Sequence, residues 1–158
     1  MVRPGGGITA RLSGNKICPI TVSKLDLGSG LPVKFSSPLK TLNLGEDDYL
    51  TTRFPLIPWN APTLSQWTVL KGSKEVKLTG YNKTVLGKFK VNSTSWDSYA
   101  LSFCSSASTC EPVGGPYFGG RGNLIVGGEA NRILFLFQKF TGQLGQVPLA
   151  MKNHVSEK

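Results

Sequence analysis

Ten short runs of strand-forming residues recur along the chain, each closed by turn residues, and no segment of helical length carries an apolar stripe at i, i+3, i+4, i+7. The runs fall at 8–12, 18–22, 31–35, 49–54, 66–70, 75–79, 86–91, 99–104, 124–126 and 132–140. Alternation is clearest in Leu86-Gly87-Lys88-Phe89-Lys90-Val91 and in Tyr99-Ala100-Leu101-Ser102-Phe103. Between the runs stand Leu27-Gly28-Ser29-Gly30, Ser36-Ser37-Pro38, Gly45-Glu46-Asp47-Asp48 and Gly114-Gly115-Pro116. Composition agrees: Gly and Pro together make about 18% of the 158 residues, and only 17% are charged, against a usual ~12% and ~25%. About ten strands in one domain of this size predict an all-β barrel or sandwich. The run Ile133-Leu134-Phe135-Leu136-Phe137 is apolar on both faces, which predicts a central strand covered on both sides. After Phe140 the pattern fails. The chain therefore reads as one domain over 1–140 with a flexible C-terminal tail over 141–158.

The single histidine, His154, leaves no His-based metal site and no Ser-His-Asp or Cys-His pair to assemble. No carboxylate pair stands out either, so the chain is not expected to be an enzyme, nor to hold a metal or any other cofactor. The net charge of +9 permits nucleic acid, anionic membrane or acidic protein partners and selects none of them. The densest basic stretch is Lys71, Lys74, Lys77, Lys83, Lys88 and Lys90, spaced as on outer strand faces. Solvated lysines there would discourage edge-to-edge pairing. Aromatic residues do not interleave with them as a base-stacking platform requires, so no nucleic-acid partner is expected. No apolar run approaches the ~18 residues of a membrane span, and Met1-Val2-Arg3-Pro4-Gly5-Gly6-Gly7 does not read as a signal peptide.

Cys104 and Cys110 enclose Ser105-Ser106-Ala107-Ser108-Thr109, small residues that suit a disulfide across a hairpin; two free thiols in a reducing compartment are the alternative. Cys18, followed by Pro19 in an apolar run, reads as a buried free thiol. Asn82-Lys83-Thr84 and Asn92-Ser93-Thr94 are glycosylation sequons. Gly5-Gly6-Gly7 and the segment 114–128 lack phosphate-loop spacing and read as turns. Glu46-Asp47-Asp48 lacks the alternating oxygens of a calcium loop and reads as a solvated turn. By pattern alone, Phe35-Ser36-Ser37-Pro38-Leu39-Lys40-Thr41-Leu42 is a loop between two strands.

An ordered series of segments resembles the plant Kunitz-type (soybean trypsin inhibitor) family. It runs through Gly5-Gly6-Gly7-Ile8, Gly14-Asn15, Cys18-Pro19-Ile20-Thr21-Val22 and Gly30-Leu31-Pro32-Val33-Lys34-Phe35-Ser36-Ser37-Pro38. It continues through Trp67-Thr68-Val69, Tyr99-Ala100-Leu101-Ser102-Phe103-Cys104 and Arg132-Ile133-Leu134-Phe135-Leu136-Phe137-Gln138-Lys139. The resemblance implies a β-trefoil: a six-stranded barrel with a hairpin cap and pseudo-threefold symmetry. It implies inhibition of a trypsin-like serine endopeptidase by a monomeric, non-catalytic protein that presents a substrate-like loop. Carried onto this chain, the contact residues are Ser37, Pro38, Leu39, Lys40 and Thr41, with Lys40 entering the protease pocket and Lys40–Thr41 in the place of the scissile bond. Pro38 would restrict the backbone just before the contact. The resemblance also pairs Cys104 with Cys110, and implies a secreted or vacuolar protein.

Three departures from the family pattern shape the expectations. Met1 to Pro4 stands just before the family's second strand, which predicts a barrel lacking its first strand, with two exposed edges. The region that should hold the partner of Cys18 reads Phe54-Pro55-Leu56-Ile57-Pro58-Trp59-Asn60-Ala61-Pro62, without cysteine. The segment after Phe140 matches nothing in the pattern. A non-inhibitory storage or miraculin-like protein, or an inhibitor of amylase or of cysteine or aspartic proteases, is the alternative reading on the same fold.

Overall fold

The computed structural model describes residues 7–12, 20–25, 30–37, 48–55, 66–78, 83–94, 97–115, 122–127, 132–139 and 149–154. These residues form strands and turns, with no helix among them. The strands are β1 Ile8–Leu12, β2 Ile20–Lys24, β3 Pro32–Ser36, β4 Thr51–Arg53, β5 Trp67–Leu70, β6 Val76–Leu78 and β7 Thr84–Val85. They continue as β8 Lys88–Ser93, β9 Tyr99–Ser106, β10 Thr109–Gly114, β11 Gly122–Asn123, β12 Ile125–Val126, β13 Leu134–Lys139 and β14 Leu149–His154.

Main-chain pairing runs in a closed ring. β3 pairs β4, and Leu50, just before β4, bridges to Phe89 of β8. β8 pairs β9, β9 pairs β13, β13 pairs β14, and β14 returns to β3. All of these pairings are antiparallel. Closure removes free edges, which would otherwise template pairing with other chains. Period-two alternation then sends Val33, Phe35, Phe89, Leu101, Phe103 and Phe135 into the interior, all buried. Lys34 and Ser36 of β3 face outward, half-buried. β13 is internal in the ring, as its apolar run predicts, although Leu134 and Leu136 stay half-buried rather than covered.

A three-cornered cap closes one end of the barrel. Its centre is formed by Val22, Val76 and Leu124, from three distant parts of the chain and all fully buried. The Leu124 N–H donates to the Val22 carbonyl at 2.8 Å, and the Val76 N–H donates to the Leu124 carbonyl at 2.8 Å. Thr21 stands opposite Lys77, joining β2 to β6. Around this triangle runs a polar network. The Ser23 hydroxyl donates to Asn123 Oδ1, Asn123 Nδ2 donates to Glu75 Oε1 at 2.7 Å, and Glu75 Oε2 lies 3.4 Å from Lys77 Nζ. Lys77 also donates to Thr21 Oγ1. Burying an ammonium is costly unless it is paired and hydrogen-bonded, and both conditions are met here. This corrects the reading of Lys77 as a solvated lysine: it is 3% exposed. Lys71, Lys74, Lys83 and Lys88 are exposed as expected.

Three further expectations change. Residues 149–154, read as tail, form β14. The two exposed edges expected of a barrel lacking its first strand are not seen among the described residues, since β14 pairs both β13 and β3. Leu86, expected to open a strand, is 87% exposed between β7 and β8. β10 went unread because Cys110 and Pro112 interrupt any alternation, yet it lies between β9 and β12. Cys104 and Cys110 are disulfide-bonded across the β9–β10 hairpin. Cys18 lies outside the described residues.

With one bridge and three cysteines, titration of the oxidised, denatured protein should find one free thiol per chain. Cys110→Ser should lower unfolding stability by about 2 kcal/mol, the chain-entropy value for so short a loop. Three free thiols, or an unchanged denaturation midpoint, would contradict the bridge.

Candidate functional site: the segment between strands β3 and β4

The predicted contact segment leaves β3 directly. Ser37, half-buried, is described; Pro38, Leu39, Lys40 and Thr41 lie outside the described residues. What is described is the pair of feet on which the segment stands. Ser36 is directly opposite Thr51, Phe35 opposite Thr52, and Lys34 opposite Arg53. The chain therefore leaves the barrel at Ser36 and rejoins it at the facing position, as a connection whose ends are held by a sheet.

The near foot begins at Gly30. Its φ of +65° suits glycine, and a Cβ there would lie 2.5 Å from the Ile8 carbonyl oxygen. This close approach lets the Leu31 N–H donate to that same oxygen at 2.7 Å. β3 is thus tied to β1 before it enters the barrel. Val33 and Phe35 then anchor it from inside.

The far foot is held by residues distant in sequence. Leu50 and Phe89 exchange both main-chain hydrogen bonds, at 2.7 and 3.1 Å. Lys88 Nζ donates to Thr51 Oγ1 at 3.2 Å. The Tyr49 hydroxyl donates to the Ala107 carbonyl at 3.4 Å, and Lys90 Nζ sits 4.9 Å from the centre of the Tyr49 ring. Such a cation–ring contact contributes about 0.5–1 kcal/mol where solvent reaches it. Ala107 lies in the turn closed by the Cys104–Cys110 disulfide. Beneath this foot runs a row of packed rings: Phe54 to Trp67 at 5.4 Å, Trp67 to Phe89 at 5.9 Å, and Phe89 to Phe103 at 5.2 Å. Edge-on and tilted pairs at these separations are the favoured aromatic geometries.

The arrangement brings Lys34, Arg53, Lys88 and Lys90 to the base of the segment, with Asp48 beside Tyr49. Sequence reasoning did not find Tyr49, Thr51, Lys88, Lys90 or Ala107 as supports. Their contacts span 37 to 58 residues, and no spacing rule reports such distances. The one available signal was the alternation over 86–91, which puts Lys88 and Lys90 on the same outer face. Of the sequons, Asn92 lies within β8, half-buried, with its Oδ1 accepting from the Ser102 hydroxyl at 3.5 Å. Asn82 lies outside the described residues, as do Glu46 and Asp47. Among the described residues, no group of three or more His, Cys, Asp or Glu side chains is placed to hold a metal ion.

A closed barrel and a three-cornered cap make this a β-trefoil, with the connection from β3 to β4 braced at its ends. Residues 1–139 match the Kunitz legume family model, described as trypsin and protease inhibitor, and the chain belongs to that family. It is 31% identical over 118 residues to trypsin inhibitor 1A of Psophocarpus tetragonolobus, covering 70% of this chain and 68% of that one. It is 32% identical over 119 residues to trypsin inhibitor DE-3 of Erythrina variegata, covering 70% and 69%. Among solved structures, it resembles a chain of the complex of porcine pancreatic trypsin with soybean trypsin inhibitor. The TM-score is 0.72 at 25% identity, over 87% of this chain and 86% of that one. Soybean trypsin inhibitor by itself shares the fold, with a TM-score of 0.66 at 21% identity, over 98% and 93%.

Leu50 is 1% exposed and locks the far foot, whereas Leu86 is 87% exposed. Leu50→Ala should cost about 2–5 kcal/mol in denaturant unfolding. Leu86→Ala should stay within about 0.5 kcal/mol of the parent. Equal effects would contradict this placement.

Proposed function

We propose that the protein inhibits trypsin-like serine endopeptidases, presenting Lys40 as a substrate mimic on the segment from Ser37 to Thr41. The observation that carries this reading is the facing pair Ser36–Thr51, which ties both ends of the segment to a closed barrel in a chain of the inhibitor family. The Lys40 ammonium, on its four-carbon stem, matches a pocket with a carboxylate at its base. A stem already ordered before docking loses less conformational entropy on binding, which is what separates tight from weak contacts of equal area. Pro38 restricts φ next to the contact residues in the same sense. The relatives whose printed names are trypsin inhibitors support the choice of protease class. A secreted or vacuolar location fits the family, and an oxidised Cys104–Cys110 bridge is at home in such a compartment.

Titration of active trypsin with the full chain should give stoichiometric, reversible inhibition. Lys40→Ala should weaken it about 1000-fold, equivalent to about 4 kcal/mol and typical of a dominant interface residue. Lys40→Leu should move the preference toward a protease with an apolar pocket. Equal inhibition by parent and Lys40→Ala, or none by either, would overturn the reading.

A further inference from the structure

The two seams of β14 are unequal. Six of its residues stand opposite β13, from Leu149 against Lys139 to His154 against Leu134. Two stand opposite β3: Leu149 against Val33, and Ala150 against Pro32. Pro32 has no N–H to contribute. β14 therefore hangs on β13 along its length and touches β3 with one end. That end meets β3 on the edge opposite β4, which takes Lys34, Phe35 and Ser36. β3 is the stem from which the segment carrying Lys40 departs. The family match ends at Lys139, the last residue of β13, so β14 lies beyond the residues that the family model accounts for.

A stem paired over its whole length is stiffer than one paired over part of it, where local opening is easier. With β14 displaced, Val33, now fully buried, would sit at an open seam. Stiffness decides the outcome of a substrate-mimic contact. A loop that keeps its shape stays bound, and one that yields is cut as an ordinary peptide. In that cut, water adds across the Lys40–Thr41 amide, its hydroxyl going to the Lys40 carbonyl carbon and its proton to the Thr41 amine. We infer that β14 is a positioning strand for inhibition: by clamping Pro32 and Val33 it holds the stem, and so sets whether Lys40–Thr41 is retained or hydrolysed. This rests on the reading of Lys40 given above.

Two measurements on the full chain test it. In the first, Leu149→Pro and Ala150→Pro are made separately. Successive main-chain N–H groups point to opposite edges of a strand, so one variant takes a donor from the β3 seam and the other from the β13 seam. Inhibition of trypsin should weaken about 10- to 100-fold in at least one, with faster cleavage after Lys40. Val76→Ala, a cavity in the cap away from β3, supplies a destabilised comparison whose inhibition should match the parent. Both proline variants inhibiting like the parent would overturn the inference, as would an equal loss in Val76→Ala.

The second measurement needs no variant and no protease. Hydrogen exchange on the parent should show the amides of 33–36 opening together with those of 149–150. Rapid, unprotected exchange over 149–154 beside protected 33–36 would overturn the inference even if the proline variants do not fold. A parent chain that fails to inhibit trypsin removes the reading of Lys40. A parent that inhibits while its stem is indifferent to β14 removes this inference alone.

Discussion

A β-strand carries hydrogen-bonding groups along both edges, and in this molecule the interior depends on every barrel edge finding a partner. Val33 and Phe135 are fully buried because their strands have neighbours on both sides. The ring is completed in two different ways. Between β8 and β9 it is a six-residue ladder, whereas between β4 and β8 it narrows to the single Leu50–Phe89 bridge. That narrow place is reinforced by packing, with Phe89 set between Trp67 and Phe103. Where main-chain pairing is thin, aromatic area takes over.

The cap solves a related problem. A barrel end leaves apolar side chains facing water, and a lid must cover them without leaving its own backbone unpaired. Val22, Leu124 and Val76 do both, passing main-chain hydrogen bonds from one to the next while their side chains fill the axis. The surrounding Ser23, Asn123, Glu75, Lys77 and Thr21 use their polar groups on one another. A charge inside such a network is tolerated only as a complete set. Lys77→Ala would therefore leave Thr21 and Glu75 short of a partner, as well as opening a gap.

Much of this was readable from the residues. The alternation in 99–103 and 86–91 marked β9 and β8, and the apolar run 133–137 marked an internal strand. The ordered segments pointed to the family before any fold was seen. What escaped reading has a common cause. β14 carries Lys152, Asn153 and His154 after a Gly- and Gln-rich stretch, so nothing local marks it as a stave. It is a strand because two edges are available to it. Lys77 looked solvated because it falls in a series of lysines of which Lys71, Lys74 and Lys83 are exposed, and the approach of Thr21 from 56 residues away helps make it internal. The far foot at Tyr49 and Leu50 is equally a product of meeting, since Phe89 and Ala107 arrive from other hairpins. The contact residues around Lys40 were assigned from the family resemblance, with the described structure supplying the ground on which they stand.

The feet are joined to the frame by the Ser36–Thr51 pairing, by Lys88, and by Tyr49 and Leu50 at the end of the connecting segment. Among the described residues, these attachments all lie at the ends of the segment. Because Tyr49 and Leu50 belong to that attachment, a sequence grafted onto this frame would be spliced between Ser37 and Asp48, leaving both of them in place.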